Sequence, residues 1–448
     1  GFLPSVEPLR RLPQAEFQPW EAMADALPSL LAVGQARKPL ETLPAFPLDI
    51  LTSHRERMRA LLLLCVFAHA SVWGNPEHPQ DTIPKGIAVP LSALASMEGM
   101  PPLLTHTSLV LHNWHRLDPS GPVRAENLAC NCRFLGGQDE TWFYIATVDI
   151  EARGGGVFGA LLQAQHAITE AGSAPSTGQC SSPQQSAARV VMEALDVAQV
   201  GIRSMREGLS RMNVGCHPLI FYQRVRPFLS GWKANPTLPD GVVYEGVSSD
   251  RQQYYGGSAA QSTLFPALDA ALGVSHSRHS SNAFLLEMRN YMPPGHRRLL
   301  EHLAHPACPS IRRFVEDFPT KMLPHTSGDG GNLSDNTAGR SDSGAVGINT
   351  KASEASVEAV ANGRTESTAD ALRDAYNGCL SALHDFRSTH LGIVGSYILQ
   401  QQKRERKAGD AASGSREDFA GGKGTGGTPL LDFLKPLKDD ARAVLLDK

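Results

Sequence analysis

One pattern limits the fold more than any other: "ADALRDAYNGCLSALHDFRSTHLGIVGSYILQQQKRE", residues 369 to 405. It is the longest helical pattern in the chain. Phe386, Val394 and Tyr397 recur on it at helical spacing and mark the buried face. His390 sits in the middle of that apolar stripe. A fold that buries this helix is built mainly from other helices, and it must accommodate an ionisable imidazole on the buried side.

Most of the remaining sequence repeats the helical period. "VFGALLQAQHAITEA" and "SAARVVMEALDVAQVGIRSMREGLSRM" are amphipathic, and shorter helices are expected at "PLIFYQRVRPFL", "LFPALDAALGV", "NAFLLEMRNYM", "PGHRRLLEHLA" and "SIRRFVEDF". Residues 1–115 differ, mixing Pro-rich connectors with helices such as "EAMADALPSLLAV" and "ILTSHRERMRALLLLCVFAHASVWG". Gly and Pro punctuate 116–140, a connector. "WFYIATVDI" after it reads as a strand or as the start of a buried helix. The expected fold is mainly α. It has a small N-terminal, mostly helical (α/β) domain over 1–115 and a large all-helical domain over 141–448. Two polar stretches interrupt the large domain. Residues 320–367 lack aromatics and are rich in Ser, Gly, Asn, Thr and Asp, so a disordered insertion is expected. Residues 407–428 hold a mobile Gly-rich loop, and a short terminal helix follows.

Charge and cysteine content exclude several functions. Lys and Arg total 42 against 45 acids, so nothing favours nucleic acid or an anionic membrane. The seven cysteines are odd in number, scattered and without a CxxC, which fits a reducing, cytoplasmic setting. Cys130 and Cys132 read as incidental rather than metal-binding. "RERMRALLLLCVFAHA" resembles a leader peptide, but its apolar run is too short to span a bilayer and it lies well inside the chain. The chain begins at Gly1 without Met, so a leader could have preceded it. Three His-x-x-His pairs, at His112, His276 and His302, have no HExxH context or third ligand at helical spacing. "KGTGGT" at 423–428 lacks the Gly-Lys-Ser/Thr ending of a phosphate loop, and there is no GxSxG elbow.

Two features stay open on residue chemistry alone. The run Gly256-Gly257-Ser258-Ala259-Ala260 has little side-chain volume, so it suits either a tight packed turn or a backbone lying close to a flat ligand. His390 is either a hydrogen-bonded core histidine or an axial ligand to haem iron, which needs a neutral imidazole facing a cavity. Arg387, one turn earlier, would need an anion if buried, and a haem propionate is one candidate.

Five motifs narrow these choices: "LSGWKANPTLPDGVVYEG", "GGSAAQS", "FLLEMRNYMPPGHR", "RSTHLGIVGSYI" and "KGTGGTPLLDFLK". In this order, over about 220 to 435, they resemble the indoleamine 2,3-dioxygenase family. Weaker similarity reaches back to "LHNWHRLDP" at 111–119. The 320–367 insertion and the 172–187 loop are more similar to fungal members.

The resemblance implies a haem b enzyme that inserts both atoms of O2 into the indole ring of L-tryptophan or a related indoleamine. The product would be N-formylkynurenine, the first step of the kynurenine pathway. A single chain is expected, with no nucleic acid or membrane partner. By the same resemblance His390 matches the proximal iron ligand, Arg387 the arginine near a propionate, and Asp269 its acidic partner. Gly257, Ser258 and Ala259 match the loop over the haem edge. Arg226 matches the arginine for the substrate carboxylate, Phe221 and Tyr222 an aromatic pair, and Thr425 a threonine of the mobile loop. The distal segment fits in two registers: Phe143 with Thr147, preferred because Thr keeps a hydroxyl, or Trp142 with Ala146. His106 and Leu109 replace a tyrosine and a cysteine of mammalian members. A haem-binding sensor with little tryptophan turnover is the alternative. A haem-free helical scaffold leaves Arg387, Asp269 and His390 unexplained.

Overall fold

The computed structural model describes residues 1–75, 78–173, 182–276, 281–322, 351–411 and 430–447. Helices dominate, as the sequence pattern requires. Among the described residues the named strands form two short pairs. Thr82–Ile83 runs parallel to Val243–Tyr244, and His115–Arg116 runs antiparallel to Leu128–Ala129.

The apolar run near residue 60 belongs to the His54–Trp73 helix. Ser53 starts it: its hydroxyl accepts from the Glu56 N–H at 3.2 Å, and the Glu56 carboxylate accepts from the Ser53 N–H at 3.0 Å. This reciprocal pair satisfies two donors that a helix start leaves exposed. Leu61 through Phe67 are all buried, so the helix is apolar on every side because it lies in the core. No helix among the described residues is long and apolar enough to cross a membrane.

"WFYIATVDI" is helical, within Gln138–Ser173. Glu140 sets the start of that helix. Its carboxylate accepts from the N–H groups of Phe134, Leu135 and Gly136 at 2.6, 2.7 and 2.9 Å. A negative side chain in the first turn also complements the helix dipole. Gln138–Ser173 packs along Ser182–Ser210, which in turn packs against Lys351–Val394. The last of these holds the stripe of Phe386 and Val394.

Buried apolar residues form two clusters. One gathers the N-terminal helices with Phe221, Phe228, Trp232 and Tyr244. The other gathers the long helices with Leu264, Leu268, Leu380 and Phe386. Gln138–Ser173 joins both, giving Tyr144 and Val148 to the first and Val157 and Leu161 to the second. Of the expected insertion, 323–350 lies outside the described residues, while 351–367 opens the Lys351–Val394 helix. Of the expected Gly-rich loop, 412–429 lies outside them and Gln400–Ala411 is helical.

Candidate active site

Segments far apart in sequence converge on one cavity of about 770 Å³. Its walls are mostly apolar, with Phe143, Phe221, Phe265, Phe386 and Ile393 prominent. Three short π-helical turns shape it: Thr107–Leu111, Phe221–Val225 and Gly395–Leu399. Each inserts an extra residue per turn and so redirects side chains, a feature frequent at functional sites. These turns contribute Leu109 and Val110, Phe221, and Tyr397 and Ile398 to the lining. Phe221 packs against Phe143 with ring centroids 4.6 Å apart and against Tyr397 at 5.7 Å.

The two glycines of the Gly-rich turn are placed differently. Gly256 is a packing glycine. A Cβ on it would collide with the Leu229 carbonyl and the Gly231 N–H, and one on Gly231 would strike the Gly256 N–H. Two turn-rich segments cross there, and the N–H groups of Trp232 and Lys233 donate to the Tyr254 carbonyl at 3.0 and 2.9 Å. Gly257 instead lines the cavity, and a Cβ on it would lie 3.7 Å from the Leu104 carbonyl. Gly256→Ala should therefore lower stability by about 1–3 kcal/mol through overpacking, and Gly257→Ala by much less. Thermal unfolding of the two variants checks this; equal melting temperatures would contradict it.

Gln261 fixes this turn to its neighbours, and His69 ties together the segments at Leu104 and Phe228 beside it. The Gln261 amide donates to the Gly256 carbonyl at 2.9 Å, and its oxygen accepts from the His106 N–H at 3.0 Å. His69, fully buried, donates from Nδ1 to the Phe228 carbonyl at 2.8 Å and accepts at Nε2 from the Leu104 N–H at 3.1 Å. Burial pushes His69 down to about 4, so this neutral tautomer persists at ordinary pH.

Polar groups break the apolar wall at several points. His390 lines the cavity half-buried, and neither ring nitrogen has a hydrogen-bond partner among the described residues. Burial, with Arg387 nearby, pushes it down to about 4, so its imidazole is a neutral lone-pair donor. Arg387 donates to both Asp269 oxygens at 2.5 and 2.6 Å and to the Leu437 carbonyl at 2.8 Å. Burial would raise Asp269, but Arg387 and His276 outweigh it and hold the carboxyl below its usual range. Arg226 is 4% exposed, with its guanidinium 5.4 Å from the Tyr222 ring. Opposite in character is a buried acid: Glu151 Oε1 accepts from Ser262 at 2.5 Å and faces His106 Nε2 at 2.9 Å, while Oε2 is buried without a hydrogen bond.

The sequence-matched residues largely gather here. His390, Arg387, Asp269, Arg226, Phe143, Phe221, Gly257, Ser258 and Ala259 all line the cavity. Tyr222 does not; it is buried and packs against Arg226. Thr425 lies outside the described residues. The helical register of the distal segment agrees with Phe143 and Thr147, which both line the cavity. The Trp142 indole instead donates to the Arg211 carbonyl at 2.9 Å, and Ala146 is buried in the core. Sequence reasoning missed His276, which faces Asp269 and Asp440 at 2.9 and 2.7 Å. It was read only as half of a His-x-x-His pair; its partners are brought together by the fold.

These residues suit a haem. His390 offers a neutral nitrogen from a helix, Arg387 sets a cation on the same cavity, and the walls are mostly apolar and aromatic. The family model described as "Indoleamine 2,3-dioxygenase" matches residues 1–326 and 348–444. The chain is 33% identical to indoleamine 2,3-dioxygenase 2 of Mus musculus, over 100% of the chain and 93% of the relative. It is 32% identical to indoleamine 2,3-dioxygenase of Saccharomyces cerevisiae, over 99% and 91%. A 6-hydroxytryptophan 2,3-dioxygenase of Fusarium equiseti is 29% identical, over 98% and 94%. With its site residues in one cavity and similarity running the length of the molecule, this chain belongs to the indoleamine 2,3-dioxygenase family of oxidoreductases.

Proposed function

We propose that the chain binds haem b through His390 and oxidatively opens the indole ring of tryptophan to give N-formylkynurenine. The observation that carries this reading is the pairing of a neutral, cavity-facing His390 with a buried Arg226 in the same cavity. The first is the donor that haem iron takes, and the second is a cation that a substrate carboxylate would neutralise. Haem, when bound, supplies the dioxygen chemistry.

The chain's own residues do the rest. Arg226 orients the amino acid by its carboxylate. Phe143 and Phe221 hold the indole by apolar contact and exclude water. Ser258 and Ala259 form the neighbouring wall, fixed by Gln261. Arg387 holds a haem carboxylate while Asp269 fixes its orientation. The relatives' names include both indoleamine and hydroxytryptophan dioxygenases, which supports a tryptophan-like indole as the substrate class. Entry into the kynurenine pathway and a cytoplasmic location are part of the same proposal. The haem-loaded, reduced chain should convert L-tryptophan under isotopically labelled dioxygen into a product carrying two labelled oxygens. One labelled oxygen, or no product, would overturn the proposal.

A further inference from the structure

His276 occupies an unusual position. Its Nε2 lies 2.9 Å from Asp269 Oδ2 and its Nδ1 lies 2.7 Å from Asp440 Oδ2. Both carboxylates are buried. A neutral imidazole can donate from only one nitrogen, so both contacts are hydrogen bonds only for the imidazolium. Asp269 sits on the Leu264–Leu272 helix and Asp440 on the C-terminal Leu430–Ala443 helix. The C-terminal helix also accepts, at the Leu437 carbonyl, a bond from Arg387. It gives Leu434 and Leu437 to the cavity wall.

We propose that protonated His276 is a latch that fastens the C-terminal helix to the cavity wall, making it a positioning residue for the site. Among the described residues, the charged groups facing it are Asp269, Asp440 and Arg387. Burial and Arg387 disfavour its charge, but the bonds and charges of the two carboxylates outweigh them and raise it above the ordinary 6.5. A raised folded value gives a definite sign. The latch is fully closed below the unfolded value of about 6.5 and opens as pH rises through the folded one. Alkaline pH then loosens the wall formed by Leu434 and Leu437 before it disturbs the Arg387–Asp269 pair. This inference stands on contacts within the chain, whatever the substrate.

Hydrogen exchange of the 434–443 amides in the full, haem-loaded chain tests it, expressed as protection factors so that intrinsic pH effects cancel. Wild type should lose protection progressively as pH rises from 6 to 9, because release of the His276 proton removes one of its two carboxylate bonds. His276→Gln should show the low value at both pH values. Asp440→Asn, which leaves the Asp269–Arg387 pair intact, should do the same and serves if His276→Gln misfolds. Protection in wild type that does not change with pH, or variants that match wild type at pH 6, would overturn the latch.

Discussion

Replacing His390 with alanine should leave a folded chain that no longer retains haem. His390 sits on a long helix, where alanine is the best former, and its ring faces the cavity rather than the packed core. Its removal therefore costs little in packing. What is lost is a neutral, cavity-lining imidazole with no competing hydrogen bond among the described residues. The remaining wall offers apolar contact and carboxylate binding, which do not replace an axial bond to iron. Gel filtration after reconstitution, followed by an absorption spectrum, reads the result directly. An unchanged Soret band would remove His390 from its assigned role. The pH dependence of the haem-free chain adds a signed check. With His390 pushed down to about 4 from 6.5, its contribution to stability is present above 6.5 and is lost as pH falls toward 4.

Arg226→Ala should raise KM for tryptophan roughly tenfold or more, the loss expected for one charge-assisted hydrogen-bonded pair. A buried guanidinium in a mostly apolar cavity is costly unless an anion meets it. Burial disfavours its charged form, while Tyr222 and Glu405 favour it. A substrate carboxylate is the natural complement. If the carboxylate contact is the same in substrate and transition state, KM rises while kcat holds; an added fall in kcat identifies a contact that strengthens during reaction. Arg226→Lys should not rescue fully, since the planar bidentate fork is lost. Unchanged kinetics at low tryptophan would rule the role out.

Much of this was legible from residue order, for physical reasons that differ between elements. The 369–394 part of the Lys351–Val394 helix is legible because a 3.6-residue period is a local signal, whereas 351–367, expected to be disordered from its polar composition, is not. "WFYIATVDI" did not, since a short apolar run fits strand and helix equally; Glu140, reaching back to three N–H groups, decides it. The π turns are invisible to periodicity, because one extra residue in a turn barely disturbs an apolar pattern. "PLIFYQRVRPFL" therefore reads as plain helix; the resemblance pairs Tyr222 with Phe221, but its ring packs against Arg226 and does not line the cavity. His276 escaped notice because Asp440 lies 164 residues away in sequence. Gly256 and Gly257 look identical in sequence; only the crossing of two backbones separates a packing glycine from a cavity glycine.

The most direct test of a haem-bearing cavity that turns over tryptophan is a single sample examined twice. The full chain is reduced and treated with CO, its spectrum is taken, and N-formylkynurenine is then assayed after L-tryptophan and O2 are supplied. The expected result is a strong Soret band from the CO complex and formation of product. A Soret band without product would make the chain a haem protein that is not a tryptophan dioxygenase, and no Soret band would contradict the role of His390 and the cavity built around it.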